Sequence, residues 1–173
     1  MKQGAAMSLP NGWELKSLSD VCSFENGDRG KNYPSRSKFV NTGIPFVNAG
    51  HLLNNTIVFD GMNYITKENY EILSRGKFIE GDILFCLRGS LGKFAIVNKE
   101  IEGAIASSLV IVRHQEKSTT KFLAYYFKST ICEQMIKDFA GGTAQPNLGA
   151  KDLAKFQIPI PPLDEQKRIV AKL

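Results

Sequence analysis

The apolar run Ile83-Leu84-Phe85-Cys86-Leu87 constrains the fold of this chain more than any other stretch. Gly81-Asp82 precedes the run and Arg88-Gly89 follows it, so turn residues bound it on both sides. A strand without alternating polar residues is typical of a sheet position that is buried on both faces. We therefore predict a buried strand here, with residues 94–97 resuming the sheet as the second arm of a hairpin.

Further strands are predicted where β-branched and aromatic residues cluster between turn residues. These are residues 44–47, 56–59 and 104–113, and a brief strand at residues 158–160. Hairpins and strands outnumber the predicted helices. The pattern favours an α+β fold, with a twisted, largely antiparallel sheet and flanking helices.

Three helices are predicted before the C-terminal stretch. Residues 17–23 form a short one, with Leu18 and Val21 inward. Residues 66–75 form a second, capped by Thr66 and ended by Gly76. Residues 120–138 form the longest, because apolar residues recur every four positions to make a wide stripe: Leu123, Phe127, Ile131 and Met135.

The C-terminal stretch has a strong break in it. Pro161-Pro162 stops the strand at residues 158–160, and proline is tolerated at the start of a helix because the first helical amide has no intrahelical acceptor. Leu163, Val170 and Leu173 then recur at helical spacing among charged residues. We predict that a connector helix begins at Leu163 and points out of the domain.

Composition restricts the class of protein. The 173 residues suit one domain, and no apolar run approaches the roughly 20 residues that span a bilayer. The first ten residues lack the apolar stretch of a secretory signal. Cys22, Cys86 and Cys132 are widely separated, which predicts buried, reduced thiols in a cytoplasmic protein rather than disulfides or a metal site.

Two segments concentrate positive charge. Residues 26–38 form an irregular loop with four cations and a single acid, Asp28; we call this segment the basic loop. Residues 88–93, the hairpin tip, place Arg88 and Lys93 beside Gly89, Ser90 and Gly92. Each segment fits either a solvated surface turn or a contact with phosphates and bases, and the net charge of +5 allows nucleic-acid binding without requiring it.

Catalytic motifs do not fit the chain. The tip glycines precede a strand and not the helix that a phosphate-binding loop needs. Glu165-Gln166-Lys167 matches part of a metal-dependent nuclease motif but lacks the upstream carboxylate partner. The chain also lacks the glycine-rich turn and acidic-aromatic motif of an adenine methyltransferase, and its two histidines suit no hydrolase triad. We expect a protein without catalytic or metal-binding residues.

An ordered set of motifs resembles a known family. Gly142-Thr143-Ala144-Gln145-Pro146-Asn147-Leu148 is followed by Ile158-Pro159-Ile160-Pro161-Pro162-Leu163, then Glu165-Gln166 and Ile169-Val170. Upstream lie Gly12-Trp13, Gly43-Ile44-Pro45-Phe46-Val47 and Gly81-Asp82-Ile83-Leu84. Together they resemble one target recognition domain of the specificity subunit of type I restriction-modification enzymes, from about residue 11 to residue 173. The chain departs from that family in length, since a full subunit resembles two such domains with long helices.

The resemblance implies a function and a division of the chain. Residues 1–12 would be an N-terminal tail, residues 13–160 a DNA target recognition domain, and residues 161–173 the start of the conserved connector helix. The domain would read one half of a bipartite DNA sequence without catalysing a reaction. The alternative is a half-length adaptor that pairs with methyltransferase or specificity subunits and reads no DNA.

The resemblance, combined with loop position and side-chain chemistry, also assigns roles to residues. The predicted DNA-binding residues are Arg29, Lys31, Asn32, Tyr33, Arg36, Lys38, Asn48, Arg88, Ser90 and Lys93. Lys31, Arg36, Lys38 and Lys93 are assigned to phosphates, and Arg88, Asn32, Tyr33 and Asn48 to base edges. The residues predicted to dock partner subunits are Gln145, Asn147, Leu163, Gln166, Val170 and Leu173.

The resemblance implies partners as well. These are double-stranded DNA, methyltransferase subunits, a restriction subunit that is both motor and nuclease, and a second copy of this chain. S-adenosylmethionine, ATP and magnesium are expected on the partner subunits and none of them on this chain.

Overall fold

A computed structural model of the protein describes residues 8–116, 118–141 and 146–173. Short strands dominate the first two thirds and helices the last third. In chain order the elements are β1 (Glu14–Ser17), β2 (Cys22–Asn26), β3 (Ile44–Val47), β4 (Leu52–Leu53), β5 (Thr56–Ile57), β6 (Tyr64–Ile65), α1 (Lys67–Glu71), β7 (Lys77–Phe78), β8 (Ile83–Cys86), β9 (Phe94–Ile96), β10 (Gly103–Ile105), β11 (Leu109–His114), α2 (Thr120–Phe127), α3 (Thr130–Ala140), α4 (Ala150–Leu153), β12 (Gln157–Ile160) and α5 (Leu163–Lys172).

The central sheet has the strand order β2-β11-β8-β9, and every pairing in it is antiparallel. Successive residues of β8 point to opposite faces, so Ile83 and Phe85 enter one hydrophobic core while Leu84 and Cys86 enter another. The prediction that this strand is buried on both faces is confirmed. The hairpin tip is followed by strand β9. A phosphate-binding loop would be followed by a helix, so the tip is not such a loop.

A second sheet has the order β6-β3-β10-β7. Its β3–β10 pair is parallel, with Ala104 opposite Phe46, and its other two pairs are antiparallel. The predicted α+β fold with a largely antiparallel sheet is confirmed, and this parallel pair is its exception. Strand β5 covers only the first half of the predicted strand at residues 56–59, where it pairs with β4.

The predicted helix at residues 120–138 is two helices. Ser129 has extended backbone angles, and its hydroxyl accepts a hydrogen bond from the backbone N–H of Cys132. Ser129 therefore caps α3 and separates it from α2, because serine competes with the helical backbone for hydrogen bonds. The predicted apolar stripe persists: Leu123 and Phe127 of α2 are buried, and Ile131 and Met135 of α3 pack against the same core.

Two other predicted helices are shorter than expected. Thr66 caps α1 as predicted, accepting from the backbone N–H of Asn69. The helix ends at Glu71; beyond it Leu73 is buried and the N–H of Ser74 donates to Asp28. The segment at residues 17–23 contains only one 3-10 turn, Leu18–Asp20, between β1 and β2. Leu18 and Val21 are nevertheless buried, as the periodicity indicated.

The first and last strands close the domain. Strand β1 pairs with β12 in antiparallel fashion, with Glu14 opposite Ile160. After β12, Pro161-Pro162 ends the strand and α5 begins at Leu163, as predicted. No described helix is both long enough and apolar enough to cross a bilayer. The three cysteines are buried and free, and burial raises the pKa of Cys22 to about 12.

Candidate nucleic-acid interface

The basic loop exposes its cations to solvent. Glycine and proline keep it irregular, apart from a 3-10 turn at Arg36–Lys38. Arg29, Lys31, Arg36 and Lys38 are all exposed, and none makes an ion pair with a carboxylate of the described residues. Their charges are therefore available to an external anion.

The single acid of the loop faces inward. Asp28 is only 5% exposed, and its carboxylate accepts hydrogen bonds from the backbone N–H of Gly30 at 2.7 Å and from the N–H and hydroxyl of Ser74, both at 2.9 Å. These bonds, first among them that from Gly30, lower the pKa of Asp28. Asp28 thus fastens the loop to the turn after α1, and its inward position leaves the cations uncompensated.

A close backbone contact supports the same attachment. Gly76 has a φ of +81°, and a Cβ on it would lie 2.8 Å from the Cα of Gly27. The N–H of Gly76 also donates to the carboxylate of Glu25 at 2.6 Å. Gly76 was predicted to end a helix, but its function is to let two chain segments touch.

Sheet topology brings the basic loop and the hairpin tip together. Strands β2 and β8 both run antiparallel to β11, and they end at Asn26, opposite Val110, and at Cys86, opposite Leu109. Both segments therefore leave the sheet at the same end, where β11 begins. The predicted tight turn of the tip is present, with φ of +82° at Gly89 and +86° at Gly92.

The backbone of Ser107, just before β11, joins the two segments. Its carbonyl accepts hydrogen bonds from the guanidinium of Arg29 at 3.2 Å and from that of Arg88 at 2.5 Å. Its N–H donates to the hydroxyl of Tyr33 at 3.4 Å. Two cationic side chains from different segments thus converge on one point of the surface.

Two open cavities lie beside this junction. One, of about 630 Å³, is lined by Arg29 and Arg88 together with residues 147–152 and Lys155. The other, of about 590 Å³, is lined by Tyr33, Arg36 and Asn48 and by aromatic rings that include Phe39 and Phe46. Between them the two cavities present cationic, amide and aromatic side chains, which are the groups that proteins use to bind nucleic acids.

Several predicted contact residues also hold the structure together. The side-chain amide of Asn32 donates to the carbonyl of Ile72 at 2.9 Å, and the ring of Tyr33 packs edge-on against Phe46. The ammonium of Lys93 donates to the carbonyl of Ala49 at 3.2 Å. Ser90 is exposed at the tip.

Asn48 caps the 3-10 turn Ala49–His51 by accepting from the N–H of Gly50. The ring of His51 closes that turn, since its Nδ1 accepts from the backbone N–H of Asn48 at 3.0 Å. The proton of the neutral ring therefore lies on Nε2, which donates to the carbonyl of Gly61 at 3.2 Å.

Acidification is expected to destabilise the turn that carries Asn48. Burial lowers the pKa of His51, so the unfolded chain binds a proton more readily than the folded one. The stabilisation is present above the ordinary histidine pKa of about 6.5 and is lost as the pH falls through the lower pKa of the folded protein. Urea unfolding at a series of pH values should show this loss.

His51→Gln is the informative variant, because its amide can accept from Asn48 and donate to Gly61 without titrating. It should lose the histidine part of the pH dependence. His114→Gln changes an exposed histidine and should keep that part. An unchanged pH profile in His51→Gln would contradict the assignment.

The residues predicted to dock partner subunits lie in different places. Gln145 lies outside the described residues. Leu163 is exposed, Leu173 is 75% exposed, and Val170 packs partly against the core. Asn147 lies beside Arg88, with which it forms a backbone bridge. It therefore sits among the predicted DNA-binding residues.

The prediction for Gln166 is corrected. Its side chain is fully buried, donating from Nε2 to the carbonyl of Pro161 at 3.1 Å and accepting at Oε1 from the N–H of Thr119 at 3.2 Å. A buried amide must satisfy its hydrogen bonds inside the protein, so this residue fastens α5 to the domain.

Sequence reasoning missed three contributors to the site. Asp28 is one of them: its charge alone indicates no role, but an aspartate two residues before a glycine is a turn signal that indicates its local bond to Gly30. The Ser107 carbonyl has no sequence signal, because it is a backbone group. Lys151 is far in sequence from the two basic segments, so no local pattern groups it with them, although it lines the same cavity as Arg29 and Arg88.

Comparisons with known proteins agree with this architecture. The chain is 25% identical over 169 residues to the MjaIX specificity subunit of Methanocaldococcus jannaschii, covering 95% of this chain and 38% of that subunit. It is 24% identical over 173 residues to the EcoKI specificity subunit of Escherichia coli K12, covering 98% of this chain and 37% of that one. The chain thus spans little more than a third of the length of these relatives.

Solved structures show the same fold. The HsdS subunit from Thermoanaerobacter tengcongensis superposes with a TM-score of 0.73 at 24% identity, over 98% of this chain and 38% of that one. A chain of a type I R-M system, solved to explain its complex assembly and conformational transition, superposes with a TM-score of 0.76 at 24% identity, over 99% and 39%. A family model described as the type I restriction modification DNA specificity domain matches residues 10–173, and this chain therefore belongs to that family.

Proposed function

We propose that this chain binds double-stranded DNA and recognises one half of a bipartite site for a type I restriction-modification system. The observation that carries the proposal is the convergence of Arg29 and Arg88 on the Ser107 carbonyl. This convergence supports the proposal because it brings one arginine from the basic loop and one from the hairpin tip to the lining of the same open cavity. Family membership supports the same conclusion.

The side chains suggest how the chain would engage a duplex. Lys31, Arg36 and Lys38 are exposed and suit phosphate contacts, which release counterions and give affinity. Lys93 would add to the positive field while bound to Ala49. Arg88 suits a base edge, because a guanine offers acceptors that can replace the Ser107 carbonyl.

The same proposal includes the division of the chain and its partners. Residues 13–160 would form the recognition domain after a tail at residues 1–12, and residues 161–173 would begin the connector helix. Leu163, Val170 and Leu173 would help to dock methyltransferase subunits, a motor-nuclease subunit or a second copy of this chain. The partners would supply S-adenosylmethionine, ATP and magnesium chemistry in the cytoplasm, while this chain would catalyse nothing.

Titration of random duplexes at two salt concentrations tests DNA binding. Fluorescence anisotropy at about 50 mM and about 200 mM salt should show a steep loss of affinity as salt rises. A plot of the logarithm of the binding constant against the logarithm of the salt concentration should fall with a slope of about 0.9 per phosphate contact. A half-length adaptor would show little binding at either concentration, and that result would overturn the proposal.

Arg88→Ala is expected to reduce the affinity for the preferred sequence by about 1–3 kcal/mol if Arg88 makes a bidentate guanine contact. Selection from a random duplex pool supplies that sequence, and anisotropy then compares it with scrambled duplexes. Arg168→Ala is the matched control, because among the described residues this arginine makes an exposed ion pair with Glu165 and lines neither cavity. Equal loss on all sequences would instead assign Arg88 to a phosphate.

A further inference from the structure

The segment at residues 147–155, here called the second wall, is fixed beside the hairpin tip. The backbone of Asn147 pairs with that of Arg88 in an isolated antiparallel bridge. The N–H of Leu148 donates to the carbonyl of Leu87 at 3.1 Å. The second wall therefore holds a defined position relative to Arg88, whose side chain reaches the Ser107 carbonyl.

Apolar residues anchor the second wall at both ends. Leu148 and Leu153 are buried in the core that also contains Leu87. Between them α4 makes a single turn, whose N–H groups at Asp152 and Leu153 bond to the carbonyl of Gly149. With these leucines inward, the polar side chains Asn147 and Lys151 are left exposed.

The cavity between the second wall and the basic loop is positively charged. Its lining contains four cationic residues, Arg29, Arg88, Lys151 and Lys155, and a single acidic residue, Asp152. The carboxylate of Asp152 pairs with the ammonium of Lys155 at 3.2 Å. Lys151 has no ion-pair partner within the described part of the chain, so its charge is free for an anion that enters the cavity.

We propose that the second wall contacts the same DNA duplex as the basic loop and the hairpin tip, through side chains that line the same cavity as Arg29 and Arg88. Lys151 would bind a backbone phosphate, and the side-chain amide of Asn147 would bind a base edge, where it can both donate and accept hydrogen bonds. This inference rests on the proposed function. It moves Asn147 from subunit docking to DNA recognition.

Lys151→Ala tests the phosphate contact. Anisotropy of the whole chain with random duplexes should show weaker binding to every sequence and a salt slope lower by about 0.9. Lys121→Ala is the matched control, because Lys121 is also an exposed helical lysine and lines neither cavity. Urea unfolding of both variants should match the wild type, which separates lost contact from lost folding.

Asn147→Ala tests the base-edge contact. Selection from a random duplex pool followed by sequencing should show relaxed preference at one base pair, with the other positions unchanged. A uniform loss across the pool would overturn the base-edge role.

The outcomes separate the two proposals. If the wild type binds no duplex, the proposed function fails. If the wild type binds DNA and Arg88→Ala binds it more weakly, but Lys151→Ala binds as well as Lys121→Ala, the proposed function stands and the proposed phosphate contact of the second wall fails.

Discussion

Replacing Asp28 with asparagine is expected to weaken DNA binding about tenfold, although the change makes the protein more positive by one charge. The carboxylate fastens the basic loop through three hydrogen bonds from Gly30 and Ser74. An asparagine amide would face N–H donors with a donor of its own. Because hydrogen bonds to a charged acceptor contribute about 1.5–3 kcal/mol, we expect a loss of about 1–2 kcal/mol in loop ordering.

A purely electrostatic role of Asp28 gives the opposite expectation, since removing an acid beside phosphates strengthens binding. Asp138→Asn supplies the matched control: it adds the same charge at an exposed position on α3, and its amide oxygen can still accept from Gln134. Tighter binding by Asp28→Asn than by Asp138→Asn would contradict the anchoring role.

The same anchor has a predictable pH dependence. Because hydrogen bonding lowers the pKa of Asp28, its stabilisation is present above the ordinary aspartate pKa of about 3.9 and is lost only as the pH falls through the lower, folded-state value. Amide hydrogen exchange of the basic loop should therefore stay slow down to about pH 4 in the wild type. In Asp28→Asn it should be fast at every pH tested.

Replacing Arg113 with alanine is expected to reduce the free energy of unfolding by about 2–3 kcal/mol. The guanidinium makes two hydrogen bonds to Asp82, at 2.7 and 2.8 Å, and the Asp82 carboxylate is only 1% exposed. Removing one partner leaves a buried carboxylate without its counter-charge. Breaking a fully buried ion pair costs about 3–5 kcal/mol. We expect a smaller loss here because the Arg113 side chain is 35% exposed to solvent.

A double-mutant cycle tests this pair directly. The double variant Asp82→Asn with Arg113→Ala should lose less free energy of unfolding than the two single variants lose together. The difference, the coupling energy, should be about 1–3 kcal/mol. The free energy of unfolding of Arg113→Lys should lie between those of the wild type and Arg113→Ala, since an ammonium cannot reproduce the bidentate contact. A loss under about 0.5 kcal/mol in Arg113→Ala would class the pair with ordinary surface ion pairs.

The Arg113 pair also bears on the interface. Arg113 lies 3.9 Å from Glu25, whose carboxylate holds the N–H of Gly76, and Gly76 touches Gly27 at the start of the basic loop. We therefore expect Arg113→Ala to weaken DNA binding as well as stability. DNA binding measured at a temperature well below the unfolding midpoint of the variant separates a loss of binding from a loss of stability.

Local signals predicted the strands β3, β8, β9, β11 and β12, but they predicted none of β1, β2, β4, β6 and β7. At residues 120–138 they failed because two local signals competed. The run at residues 83–87 and the break at Pro161-Pro162 each have one interpretation, and both predictions are confirmed. The helix at residues 120–138 was predicted from its apolar stripe alone. That stripe continues through two helices, while the cap at Ser129 interrupts the backbone beneath it.

The sequence by itself determined which segments carry positive charge and which turns expose them, because turn chemistry and hydrophobic period act over a few residues. Only the tertiary structure decided that Arg29 and Arg88 meet at one carbonyl, that Asp28 turns inward, and that Asn147 and Lys151 line the same cavity as the two arginines. The physical reason is strand pairing. Strands β2 and β8 end together only because both pair with β11, and such non-local pairing leaves no mark in any one segment of the chain.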